Sequence, residues 1–211
     1  MALIDKINDG FIALTNLAKI NKLALADNKV LLPQKIGKAQ KWYQSGLRHG
    51  ADYPNTYLQA TVSAVNGTQY FIPFTALEDA NITALEVYCS NASSNATVSL
   101  GIYESDNNND VENPLFTSSA LGCSTTGTKN APCNVSITKG RVYWLSSMTI
   151  VGASFLRNGT DSLKPIKGST SATSNSVIGF YTSGNTEMAK SAPTSKFYLN
   201  GHAPRVMFVV A

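Results

Sequence analysis

Charge is scarce in this 211-residue chain: Asp, Glu, Lys and Arg together make up only 14% of it. Its surface must therefore be covered largely by Ser, Thr, Asn and Gly, a composition that favours a turn-rich β protein over a helical enzyme. No apolar stretch approaches the ~20 residues that cross a bilayer, so no membrane insertion is expected. The opening residues, MALIDKINDGF, carry Asp5, Lys6 and Asp9 where a secretory signal would be apolar, and synthesis in a cytoplasm is expected. A net charge of +4 is too weak for a phosphate-binding face, and the mild cluster of Lys35, Lys38, Lys41 and Arg48 reads as solvated. No nucleic-acid partner is expected.

Cysteine is also short. Cys89, Cys123 and Cys133 are odd in number and lack metal-like spacing, which excludes a disulfide framework as the main source of stability. Cys89 shares an alternating face with Leu85 and Val87 and reads as a small core residue. Cys123 and Cys133 flank a turn-rich segment and could face each other across a hairpin, either bridged or as free thiols. The two histidines, His49 and His202, have no acidic or cysteine partner at recognisable spacing. No nucleophile elbow, zincin helix, P-loop or dinucleotide fingerprint occurs. No catalytic residue, cofactor or metal is expected, and the chain reads as a non-enzyme.

What is there begins with a helical period. Ile4, Ile7, Phe11, Leu14 and Ala18 recur at 3-4-3-4 spacing, one seam of a helix over residues 1–28. Leu3, Leu17, Ile20 and Leu23 lie off the seam and widen the apolar surface. A lone helix of this length is marginal in water and must pack on something. That something is either its own β domain or other chains: sister subunits in a trimer, or a larger assembly it anchors to. Residues 29–57 read as a connector, because Pro33, Gly46, Gly50 and Pro54 break any sustained period.

From residue 58 to 211 the period becomes two. Leu85, Val87 and Cys89 alternate, as do Val98, Leu100 and Ile102; Cys133, Val135 and Ile137; Val142 and Trp144; and Val206, Phe208 and Val210. Turn clusters such as SNASSN, STTGTKNAP and RNGT separate these runs. Short alternating strands with regular turns describe an antiparallel β-sandwich, jelly-roll-like, with Leu85, Val87, Leu100, Ile102, Val135, Ile137 and Trp144 in its core.

One loop raises a metal question. In SDNNNDVENP, Asp106, Asn108 and Asp110 alternate like the oxygen ligands of a calcium loop. Val111 stands where an EF-hand needs glycine, and Glu112 comes too early for its bidentate ligand. Asn and Asp also dominate turns because they tolerate left-handed backbone and cap their own chain. The expectation is an exposed hairpin tip without metal.

The segment from Thr68 to Arg157 resembles a β-sandwich module of bacteriophage tail-fibre and head-fibre proteins. The resemblance lies in an order of features: YFIPF, a polar corner, ITALEVYCS, LGIYESDN, a loop with a proline, STTG, and a closing GRVYWLSSM. It implies a virion protein that forms a homo-oligomer, a trimer by preference, and contacts other virion proteins. Its N-terminal segment would anchor it, and loops of an outward sandwich would meet host surface glycans. The alternatives are a soluble carbohydrate-binding module of an enzyme or adhesin, and a glycan depolymerase with a carboxylate pair in a cleft.

Overall fold

A computed structural model describes residues 41–51, 61–156, 179–191, 197–198 and 203–211. The helix expected over residues 1–28 lies outside the described residues, as does most of the span 29–57. The chain divides into two units, residues 1–41 and 42–211, and every described strand belongs to the second.

Among its described residues that unit is mainly β, and every pairing is antiparallel. The first sheet joins β1 (Arg48–Gly50), β13 (Met207–Val210), β4 (Ala80–Asn91), β10 (Ser154–Leu156) and β2 (Thr61–Ser63) in that order. β8 (Gly127–Ile137) pairs the other edge of β4. The second sheet runs β12 (Phe197–Tyr198), β11 (Phe180–Thr182), β3 (Thr68–Thr75), β9 (Val142–Ile150), β5 (Thr97–Ser105) and β6 (Val111–Thr117). β7 (Leu121–Gly122) adds to the start of β5. Two strand prolines sit where the ladder asks for no donor. Pro114 lies on β6, which among the described strands pairs β5 alone, and Pro132 sits where β8 bulges against β4.

The two sheets share one buried core. The first contributes Ile82, Leu85, Val87, Cys89, Val135, Ile137, Phe155 and Phe208, and the second Phe74, Val98, Leu100, Ile102, Tyr143 and Leu145. The alternation of β4, β5, β8 and β13 therefore has the expected meaning, since one face of each strand is sealed by the opposite sheet.

β9 departs from expectation in parity. Tyr143 and Leu145 point into the shared core, whereas Trp144 belongs to a second cluster with Phe71, Tyr103, Val111, Met148, Phe180 and Met188. Trp144 is buried, as expected, but on the opposite face of its sheet. Its ring stacks on Phe180 at 4.8 Å between centroids, and its indole N–H donates to Ser105 Oγ at 2.8 Å. The second sheet thus carries apolar side chains on both faces, and a polar-out alternation does not apply to it.

The connector boundary also moves. Within 29–57, Tyr43 is buried in the shared core and β1 pairs β13. Glu78 fastens this entry: its carboxylate accepts the Tyr43 amide at 2.7 Å and the Trp42 amide at 3.3 Å. The Leu77 amide donates back to the Tyr43 hydroxyl at 3.1 Å. Glycines and a polar composition masked a strand of three residues. The expectation that sandwich sequence starts at residue 58 is corrected for 42–50.

Candidate functional site

The apolar seam residues Ile4, Ile7, Phe11, Leu14 and Ala18 lie outside the described residues, as does His202. His49 is packed: its ring lies 5.1 Å from Tyr43 and 5.7 Å from Phe208, and its Nε2 accepts the Gln44 amide at 3.3 Å.

The asparagine-rich loop is the turn between β5 and β6. Asp106 Oδ1 accepts the amides of Asn108 at 2.8 Å and Asp110 at 2.7 Å, while the Asp106 amide donates to the Asp110 carbonyl at 3.0 Å. Asn109 takes a left-handed backbone, φ 59°, which asparagine tolerates. This carboxylate oxygen is spent on its own loop. Val111, inside the apparent ligand series, is buried in the second cluster. Among the described residues, no three His, Cys, Asp or Glu side chains come together as metal ligands.

All three cysteines are free. Cys123 neighbours the Cys89 thiol rather than Cys133, whose S–H points to the Ile82 carbonyl at 3.6 Å. The hairpin facing of Cys123 and Cys133 that the sequence left open is not formed, and Cys123 neighbours Cys89 instead. Burial pushes the Cys123 thiol up to about 11, with the adjacent Cys89 adding to the effect, and burial alone raises Cys133 to about 11. Thiols held neutral in this way are poor nucleophiles.

A groove lies on the outer face of the second sheet, where β5, β6 and β9 meet a strap of residues 183–191. Its volume is about 290 Å³. Met148, Met188 and Ile150 supply an apolar floor, and Ser99, Thr117 and Thr186 supply hydroxyls around it. Strand parity explains the placement. Ser99 and Gly101 of β5 point away from the shared core, and their register partners are Met148 of β9 and Thr117 of β6 respectively. Gly101 is closely approached: an added Cβ would meet the flexible Met188 methyl at 2.8 Å and the Phe116 carbonyl oxygen at 3.2 Å.

The strap is pinned by a buried polar network. Gln69, with no exposed surface, donates from Nε2 to Tyr103 Oη at 3.0 Å and to Ser146 Oγ at 2.9 Å. Its Oε1 accepts the Ala189 amide at 2.9 Å, and Tyr103 donates its hydroxyl to the Ala189 carbonyl at 2.6 Å. Burial pushes the Tyr103 phenol up to about 12, partly offset by the Gln69 hydrogen bond. At the strap's other end Asn185 donates its amide at 2.9 Å and its Nδ2 at 3.1 Å to the Gly67 carbonyl. Glu187 and Lys190 form an ion pair of 3.0 Å at the exposed rim. Sequence reasoning missed this groove. The strap SGNTEMAKS carries no period, and only its lone Met188 in a polar run hints at a buried anchor.

No protein-family model matches the chain, and no curated protein matches it. Among solved structures, one titled as infectious bursal disease virus, Gt strain, is similar over 78% of this chain and 40% of that chain. The identity is 13% and the TM-score 0.30, so the likeness carries no argument about fold detail or function. The chain spans well under half the length of that viral chain.

Proposed function

We propose that the chain is a non-enzymatic structural protein of a bacteriophage virion: a fibre, a minor tail protein or a capsid-decorating protein. The observation that supports this reading is the two-sheet β fold of the segment that resembles the phage module. From Thr68 to Leu156 the described chain is a succession of antiparallel strands, β3 to β10, divided between two sheets around one core. In this reading residues 1–28 anchor the protein to the particle or to sister subunits, in a trimer by preference. The sandwich faces outward and meets host surface glycans or neighbouring virion proteins. The wide apolar seam supports more than two helices, because burying each large aliphatic side chain contributes ~1.5–3 kcal/mol.

Two measurements test this. Light scattering on the full chain should give the mass of three subunits, and on a chain shortened to begin at Trp42 the mass of one. Mass spectrometry of purified particles should find the full chain in stoichiometric amount. A monomeric full chain that is missing from particles would leave the alternative of a soluble carbohydrate-binding module. The shortened chain must start at Trp42 rather than Leu58, since Tyr43 and β1 belong to the sandwich.

A further inference from the structure

We propose that the groove between the strap and the outer face of the second sheet binds one ring of a neutral saccharide. This deepens the glycan contact in the proposed function by giving it a place, and it rests on the groove's own chemistry.

Three observations carry it. First, the hydroxyls of Ser99, Thr117 and Thr186 line the groove and make no side-chain hydrogen bond among the described residues. Ser118 beside them shows the contrast, since its Oγ accepts the Leu100 amide at 2.9 Å and donates to the Ser119 carbonyl at 2.8 Å. A hydroxyl both donates and accepts, so three uncommitted ones match a ligand whose rim is itself hydroxyls. Second, the apolar part of the lining is a narrow strip, Ile150 half-buried with the edges of the buried Met148 and Met188 beside it, which suits the C–H edge of a sugar ring. Thioether side chains adapt to irregular shapes as aromatic platforms do not. Third, the charge at the rim is internally cancelled by the Glu187–Lys190 pair, which leaves no net field to select an ion.

Size and rigidity agree with a small ligand. A volume of about 290 Å³ lies at the low end of small-molecule sites, typically ~300–1,000 Å³, and leaves room for a single ring. Ser99 and Met148 stand on the central strands β5 and β9, and the strap, which contributes Met188 and Thr186, is fixed by Gln69 and Tyr103 through Ala189. A site held in this way loses little freedom when it binds.

The methionines provide the readout. The full chain, labelled with ¹³C at the methionine methyls, is titrated with D-glucose, D-galactose, D-mannose, N-acetyl-D-glucosamine and L-rhamnose, each to ~50 mM, a range that captures millimolar affinity. We expect at least one sugar to shift the Met148 and Met188 signals along a saturating curve. Met207, on β13 of the other sheet, should stay still. The Ser99→Ala, Thr117→Val double variant should weaken that binding about tenfold or more while its melting curve stays unchanged. If no sugar moves Met148 and Met188, if all methyls including Met207 drift together, or if the folded double variant binds as well as the parent, the proposal is wrong. Such a failure would leave the virion reading standing, because particle composition and subunit mass test that separately.

Discussion

Arg48 closes over Glu86 on the face of the first sheet opposite the core. The Arg48 guanidinium contacts both carboxylate oxygens of Glu86, through Nε to Oε2 and through Nη2 to Oε1 at 3.2 Å. Asn130, the register partner of Glu86 on β8, adds a hydrogen bond to Oε1 at 3.0 Å. Glu86 is only 5% exposed, although it lies on a strand face turned away from the core. β1 thus brings a cation to a carboxylate 38 residues away in sequence.

A first prediction rests on the asymmetry of that pair. Arg48→Met strands a buried carboxylate and should destabilise the fold by ~1–3 kcal/mol, the lower end reflecting the solvent-screened arginine. The Arg48→Met, Glu86→Leu double variant should recover most of that loss, because removing both partners leaves no charge to desolvate. Urea unfolding of the two variants checks it. A double variant less stable than Arg48→Met would mean the pair contributes more than its desolvation cost.

The loop after β5 should be indifferent to calcium. Asp106 serves its loop through an oxygen that accepts two amides, and an asparagine oxygen can accept the same bonds. The Asp106→Asn, Asp110→Asn double variant should keep the parent's melting temperature with and without calcium. Asp106→Ala should cost ~0.5–2 kcal/mol, as loss of a cap does. A calcium-dependent rise of several degrees in the parent alone would overturn the turn assignment.

The strap depends on a glycine. Gly67 has φ +67°, and an added Cβ would meet the Asn185 carbonyl oxygen at 2.8 Å. Gly67→Ala therefore meets both backbone strain and a clash with the strap, and should cost ~1–3 kcal/mol. Amide exchange at Asn185 and Ala189 should accelerate more than exchange in β4 or β8. Equal acceleration throughout would show that the strap is no separate unit.

Alkali should unfold the protein early. The Cys123 and Cys133 thiols are raised from 9.0 to about 11, and the Tyr103 phenol from 10.0 to about 12. Each group is neutral when protonated, so the fold binds these protons more tightly than the unfolded chain does. Their contribution is fully present below the ordinary values and is lost as pH rises through the folded ones. The melting temperature, followed by circular dichroism in reducing buffer, should begin to fall above about pH 9 and drop steeply by about pH 12. Tyr103→Phe should flatten the upper part of that fall. An unchanged profile in this variant would assign the alkaline limb to the thiols alone.

Much of the sandwich was legible because a strand sealed on one face must alternate. Val98, Leu100 and Ile102 show a period of two, and the structure buries all three against the opposite sheet. Val135 and Ile137, and Val206, Phe208 and Val210, follow the same rule. The hairpin tip at Asp106 to Asp110 was equally legible, since its chemistry is local. Arg48–Gly50 was not, because three residues between glycines carry no period and their partner, β13, lies at the other end of the chain.

The sequence by itself determined which residues of a strand share a face and where the chain must turn, because both depend on neighbours one to four positions away. It did not determine which face meets which cover. Val142 and Trp144 on one parity of β9, and Tyr143 and Leu145 on the other, are both apolar sets. Only the tertiary structure sent Tyr143 and Leu145 to the shared core and placed Trp144 with Phe180 and Met188. That choice required the polar strap to cover the outer face, and it rests on Gln69 reaching Ala189 across 120 residues of chain. A contact at that separation leaves no periodic trace in either segment, so the groove beside it became visible only once the sheets had formed.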